Sequence, residues 1–185
     1  MTLLVLLNGG PASGKSTLAH LWALERPLAL SLDIDVLRAM IADWESHPVD
    51  AGLRARELAL SMIRNHLIHE HDVIVPQFVA RATFIDQLNL TAVASGAQFI
   101  EVALLEAHDV AERRFRDRAG RAERSKEARR IHGALGAESM QELFEHHREF
   151  NDSRDPVLLV RPVDGDLTTS LDRLRAAILS HTTRP

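Results

Sequence analysis

Apolar residues along this chain fall into short runs separated by longer stretches with helical spacing. Leu3 to Leu7 is an unbroken run of five apolar residues that stops at Gly9 and Gly10, the pattern of a buried strand. Lys15 to Leu24 follows with helical character, and Leu28 to Leu32 is a second apolar run. Asp33 to Ala42 reads as a helix, and Trp44 to Val49, which contains Pro48, as a loop. Gly52 to Glu70 is the longest helical pattern, with Leu60, Ile63 and Leu67 on one face. Val73 to Val75 is a short strand closed by Pro76. Arg81 to Ser95 is a helix stopped by Gly96, and Phe99 to Leu105 is a strand. A charged helix is expected over Ala107 to Arg118, then an Arg-rich, Gly-interrupted mobile segment over residues 119 to 135. Glu138 to Phe150 is helical, Val157 to Val160 a last strand and Leu167 to Leu179 a closing helix. Strands alternating with helices predict βαβ units, hence an α/β fold with a parallel sheet covered on both faces.

Composition narrows this picture without redirecting it. The chain has 185 residues, 45% hydrophobic and 26% charged, enough apolar material for a sizeable core. The formal net charge of −4 argues against a long nucleic-acid ligand. Without cysteine there is no disulfide framework, thiolate metal site or Cys nucleophile, which fits a reducing cytoplasm. The first apolar run is too short to span a bilayer and has no cationic stretch before it, so neither a membrane segment nor a signal peptide is expected.

The strongest chemical signal is Gly9-Gly10-Pro11-Ala12-Ser13-Gly14-Lys15-Ser16, which satisfies G-x-x-x-x-G-K-[ST]. Glycines admit backbone conformations closed to other residues, so successive N–H groups can converge on a phosphate. The helix beginning at Lys15 adds the positive end of its dipole. Lys15 is placed to reach the β- and γ-phosphates of ATP, Ser16 to bind Mg²⁺ and Thr17 to bond the α-phosphate. A chance match in a chain of this length is on the order of one in a hundred. The flanking strand and helix make a plain glycine turn a still poorer reading.

A second constellation, Asp33-Ile34-Asp35-Val36-Leu37-Arg38, closes the second apolar run. Ligands of open parallel sheets bind outside the carboxyl ends of the strands, so these residues belong near the phosphate loop. One carboxylate can hold Mg²⁺ or its waters while the other accepts the proton of an attacking hydroxyl. Arg38, three residues beyond Asp35, can grip an anionic or polyhydroxyl acceptor. The plainer alternative is that the segment is only a strand end and a helix cap.

The loop and this segment together resemble the small-molecule kinase branch of the P-loop NTPases. That branch includes shikimate, gluconate and adenylylsulfate kinases, chloramphenicol phosphotransferase and polynucleotide kinase. The D-x-D-x-x-R arrangement is similar to that of adenylylsulfate kinase. The resemblance implies a three-layer fold with five parallel strands in the order 2-3-1-4-5 and a lid that closes over ATP. It implies one kinase domain over residues 1–185, with the lid at about 112–135. Alignment from the strand makes Asp33 the base and alignment from the arginine makes it Asp35; both stand, with Asp35 placed first. The stretch Glu112 to Arg121 is similar to the lid entry of gluconate kinase, in which Arg114 and Arg118 match phosphate-contacting positions. Otherwise those arginines form a solvated basic face.

Where many P-loop enzymes carry an aspartate at the end of the third strand, this chain has Pro76 and Gln77. That departure shifts Mg²⁺ coordination onto Ser16 and the aspartates, and leaves Gln77 and Arg81 to line an acceptor pocket. His66, His69 and His71 read as a solvated helix end, and the adjacent His146 and His147 suggest no metal. Asp166 reads as the cap of the last helix. The expectation is an ATP- and Mg²⁺-dependent phosphotransferase acting on a small hydroxyl-bearing molecule. The alternatives are a polynucleotide or nucleoside kinase, for which 4% aromatic residues offer few stacking platforms, and an ATP-binding switch or ATPase.

Overall fold

The apolar runs pair into one sheet. The computed structural model describes residues 1–79, 81–105, 110, 113, 140–154 and 157–182. Among these residues the elements follow the order β1 (Leu3–Gly9), α1 (Lys15–Leu24), β2 (Leu30–Ser31), α2 (Ile34–Met40), α3 (Pro48–Leu67) and β3 (Val73–Gln77). Then come α4 (Ala82–Ala94), β4 (Gln98–Leu104), α5 (Met140–Asp152), β5 (Leu158–Val160) and α6 (Leu167–Thr182). All strand pairs are parallel, in the spatial order β2-β3-β1-β4-β5. This is the P-loop kinase-like order, as the resemblance implies.

Both faces of the sheet are covered, which is why β1 reads as continuous apolar sequence rather than as alternation. Leu4 and Leu6 enter one core with Ala55, Ala59 and Ile63 of α3 and Phe84, Ile85 and Leu88 of α4. Leu3, Val5 and Leu7 enter the other with Leu18 and Trp22 of α1 and Leu171, Leu174 and Ile178 of α6. The three layers put the carboxyl ends of β1, β2 and β3 along one edge of the sheet.

Several boundaries differ from the sequence expectation. The second strand is only Leu30–Ser31, because Leu28 takes a left-handed φ of 58° after Pro27. Helix α3 starts four residues before Gly52, with Pro48 in its first turn, where a missing N–H costs nothing. It ends at Leu67, and Glu70 turns the chain at a φ of 63°. Pro76 does not close β3 but lies inside it. Leu32 N–H donates to Ile74 O at 2.9 Å, so Ile74 faces β2, and Pro76, two residues on, faces the same way. β2 has already ended there, so the absent N–H has no ladder partner to lose. Gly96 ends α4 with a φ of 70°, and a Schellman pair forms from Ala97 N–H to Ala92 O (2.9 Å) and Gly96 N–H to Val93 O (3.1 Å). Of the expected charged helix only Val110 and Arg113 are described, both helical; residues 114–135 lie outside the described residues. No helix among the described residues is long and apolar enough to cross a membrane.

Candidate nucleotide site

The phosphate loop joins β1 to α1 across the carboxyl edge of the sheet. Its backbone is bent where the motif requires it: Gly14, the residue before α1, has a φ of 83°, and Ala12 takes a φ of 62° despite its side chain. A Cβ on Gly9 would lie 2.6 Å from Ser13 Oγ and 3.2 Å from Leu104 Cβ, so a side chain at the loop entrance would have to displace the buried Ser13 hydroxyl. Ser13 is buried, its N–H reaching Gly10 O at 3.3 Å and its hydroxyl meeting no partner among the described residues. Lys15 Nζ donates to Gly10 O at 3.3 Å, which holds the ammonium over the loop. Ser16 and Thr17 are exposed in the first turn of α1, and Pro11 is half-buried.

The D-x-D-x-x-R segment meets this loop. Ser16 Oγ donates to Asp33 Oδ2 at 3.1 Å, while Asp33 Oδ1 accepts the Asp35 N–H at 3.0 Å and so caps α2. Asp33 is therefore both the cap and a partner of the loop. Asp35, in the first turn of the helix, pairs with Arg38 at 3.1 Å. The Arg38 guanidinium lies 4.9 Å from the centre of the Trp44 ring, a cation–π contact that orients it. Gln77 ends β3 directly beside Asn8 and is half-buried, its Oε1 without a partner among the described residues. Arg81 sits at the exposed start of α4. Arg114 and Arg118 lie outside the described residues. Two hard oxygen donors, Ser16 and Asp33, and a cationic loop fit a nucleotide with a divalent ion.

Sequence reasoning missed a buried polar junction behind the loop. Asn8, fully buried in β1, accepts the Val79 N–H at 2.9 Å and donates to Val79 O at 2.9 Å. His147 Nε2 lies 3.0 Å from Asn8 Oδ1, and Asn8 Nδ2 reaches Asn151 Oδ1 at 3.4 Å. Burial, with a smaller contribution from the Lys15 ammonium, pushes the His147 pKa down to about 4, so the ring is neutral. The one available signal was a lone amide closing an apolar strand before a glycine.

Other histidines are tied to nearby backbone: His66 Nε2 is 2.6 Å from Leu28 O, and His69 Nδ1 is 2.7 Å from Asn65 O. Asp166 caps α6, accepting the Thr169 N–H at 2.9 Å. Concavity does not single out the loop: a cavity of about 240 Å³, lined by Asp86, Glu101, Arg154 and His181 among others, contains none of its residues. Chemistry marks the site.

The AAA_33 family model, described as an AAA domain, matches residues 4–143. The chain belongs to that family. No curated protein matches it by sequence. Among solved structures, this AAA-domain chain is similar to a protein from Chloroflexus aurantiacus at 18% identity and a TM-score of 0.64, covering 97% of each chain. It is similar to a shikimate kinase from Bacteroides thetaiotaomicron at 20% identity and a TM-score of 0.58, covering 96% of this chain and 98% of that one. A gluconokinase from Sinorhizobium meliloti shares 17% identity and a TM-score of 0.55 over 97% of each chain. These likenesses establish the P-loop kinase-like fold.

Proposed function

We propose that this protein is an ATP-dependent phosphotransferase that moves the γ-phosphate of ATP to a hydroxyl of a small molecule, a metabolite or an antibiotic. The observation that carries the reading is the Ser16–Asp33 hydrogen bond of 3.1 Å, which joins the phosphate loop to the aspartate–arginine segment. The family implies Mg²⁺; Ser16 and Asp33 would hold it, and its charge offsets that of the phosphate oxygens. Lys15 binds the β- and γ-phosphates, and the loop from Gly9 to Thr17 supplies the N–H cradle.

Asp35 is then left for the acceptor. Its carboxylate takes the hydroxyl proton as that oxygen bonds to the γ-phosphorus; the bond to the β-bridging oxygen breaks and ADP departs. Arg38, braced by Trp44, orients the acceptor, and Gln77 and Arg81 line its pocket. The alternative in which Asp33 is the base exchanges the two roles. Arg114 and Arg118 are assigned to the phosphates by resemblance, in a lid over about 112–135. The reading takes 1–185 as one kinase domain in the cytoplasm.

ATP-consumption screening against sugars, nucleosides, antibiotics and an oligonucleotide with a free 5′-hydroxyl tests the proposal. Acceptor-dependent ADP release with one small molecule is expected. Turnover with the oligonucleotide alone would move the assignment to a polynucleotide kinase. Equal ADP release with and without every acceptor would make the protein an ATPase.

A further inference from the structure

Asn8 immediately precedes the first glycine of the phosphate loop, and all its side-chain hydrogen-bonding capacity is directed inward. Val79 decides the orientation of its amide: a backbone N–H must meet Oδ1 and a backbone carbonyl must meet Nδ2, each at 2.9 Å. That orientation fixes the histidine. Because Oδ1 is an acceptor, the His147 Nε2 atom 3.0 Å away must carry the hydrogen. Asn151, one turn further along α5, accepts from Asn8 Nδ2 at 3.4 Å and donates its own Nδ2–H to His147 O at 2.6 Å. The Phe78 ring lies against the imidazole, 5.2 Å between centres. Asn8, His147 and Asn151 are 0%, 2% and 1% exposed, so these bonds compete with no bulk water.

One buried amide thus joins three pieces of chain: the entrance of the phosphate loop, the β3–α4 loop beyond Gln77, and helix α5. We propose that Asn8, His147 and Asn151 are positioning residues that set the phosphate loop and the seating of α5 together. Nucleotide binding at the loop then tightens α5, and loosening α5 weakens nucleotide binding by the same factor. The Nε2–H form of the ring is the one this device requires, since a bare Nε2 would set two acceptors against each other. The inference rests on the nucleotide reading of the loop.

The test uses the full chain with Mg²⁺ and a non-hydrolysable ATP analogue. Calorimetry gives the Kd, and amide exchange follows α5 over residues 145–152. In the wild type, exchange there is expected to slow when the analogue binds. His147→Leu deletes the donor and should weaken binding about tenfold, the scale of one buried hydrogen bond, with the slowing lost. His147→Gln restores an N–H and should recover both effects. A merely structural histidine would lower the melting temperature in both variants without separating their Kd values. Folded His147→Leu protein with wild-type Kd and intact slowing overturns the proposal. Should that variant not fold, the wild type decides alone: analogue binding that leaves α5 exchange unchanged overturns it. A wild type that does not bind the analogue overturns the nucleotide reading, and the inference with it.

Discussion

The two aspartates of the D-x-D-x-x-R segment are two residues apart in sequence yet occupy different environments. Asp33 spends one oxygen on the α2 cap and the other on Ser16, whereas Asp35 meets Arg38. Asp35→Asn should lower turnover about a hundredfold, the usual scale for a general base, with little change in ATP affinity. Asp33→Asn should instead raise the Mg²⁺ concentration needed for half-maximal rate, because an amide is a poorer ligand for a hard cation. Mg²⁺ titrations of both variants, with the acceptor found by screening, separate the roles. Exchanged phenotypes would make Asp33 the base. Full activity in both would leave the segment a strand end and a helix cap.

At the scale of elements, two glycines do different work. Gly96 ends α4 in a left-handed conformation with open space around it; an added Cβ would meet nothing within 4 Å. Gly96→Ala should therefore cost only the conformational penalty, about 1–2 kcal/mol, and leave nucleotide binding untouched. At Gly9 the obstacle is contact, since the Cβ would lie 2.6 Å from Ser13 Oγ. Gly9→Ala should distort the loop and abolish analogue binding. Melting curves paired with calorimetry distinguish the two, and an unchanged melting temperature for Gly96→Ala would remove the Schellman turn from the account. Gly96 was legible in the sequence as a helix stop. The early start of α3 was not, because Pro48 marks a loop or a first helical turn equally well until its neighbours are placed.

For the whole molecule, nucleotide binding is a stability term. If Mg²⁺–ATP binds only the folded chain, a hundredfold excess over its Kd should add about 2.7 kcal/mol. Lys15→Ala removes the charge over the loop but lies outside both apolar cores, so the variant should fold and show almost none of this gain. Thermal melting with and without nucleotide measures it directly. Equal stabilisation of wild type and Lys15→Ala would sink the phosphate-loop assignment.

Local pattern carried most of the architecture. Short apolar runs bounded by glycine or proline and alternating with helical stretches read as strands buried on both faces, and the G-x-x-x-x-G-K-[ST] spacing between such a run and a helix reads as a phosphate loop, so the α/β class and the loop were legible in the sequence. The limits of the elements were not. Whether Pro76 can lie inside β3 depends on where β2 leaves the sheet, which no window around Pro76 contains. The site divides in the same way. The spacing of Asp33, Asp35 and Arg38 announced them, but their separate tasks appear only once Ser16 is beside Asp33. Asn8 and His147 are 139 residues apart, and their hydrogen bond exists because β1 and α5 are packed together. A histidine on a charged helix carries no sign of that partner; burial and an amide fixed by Val79 supply it.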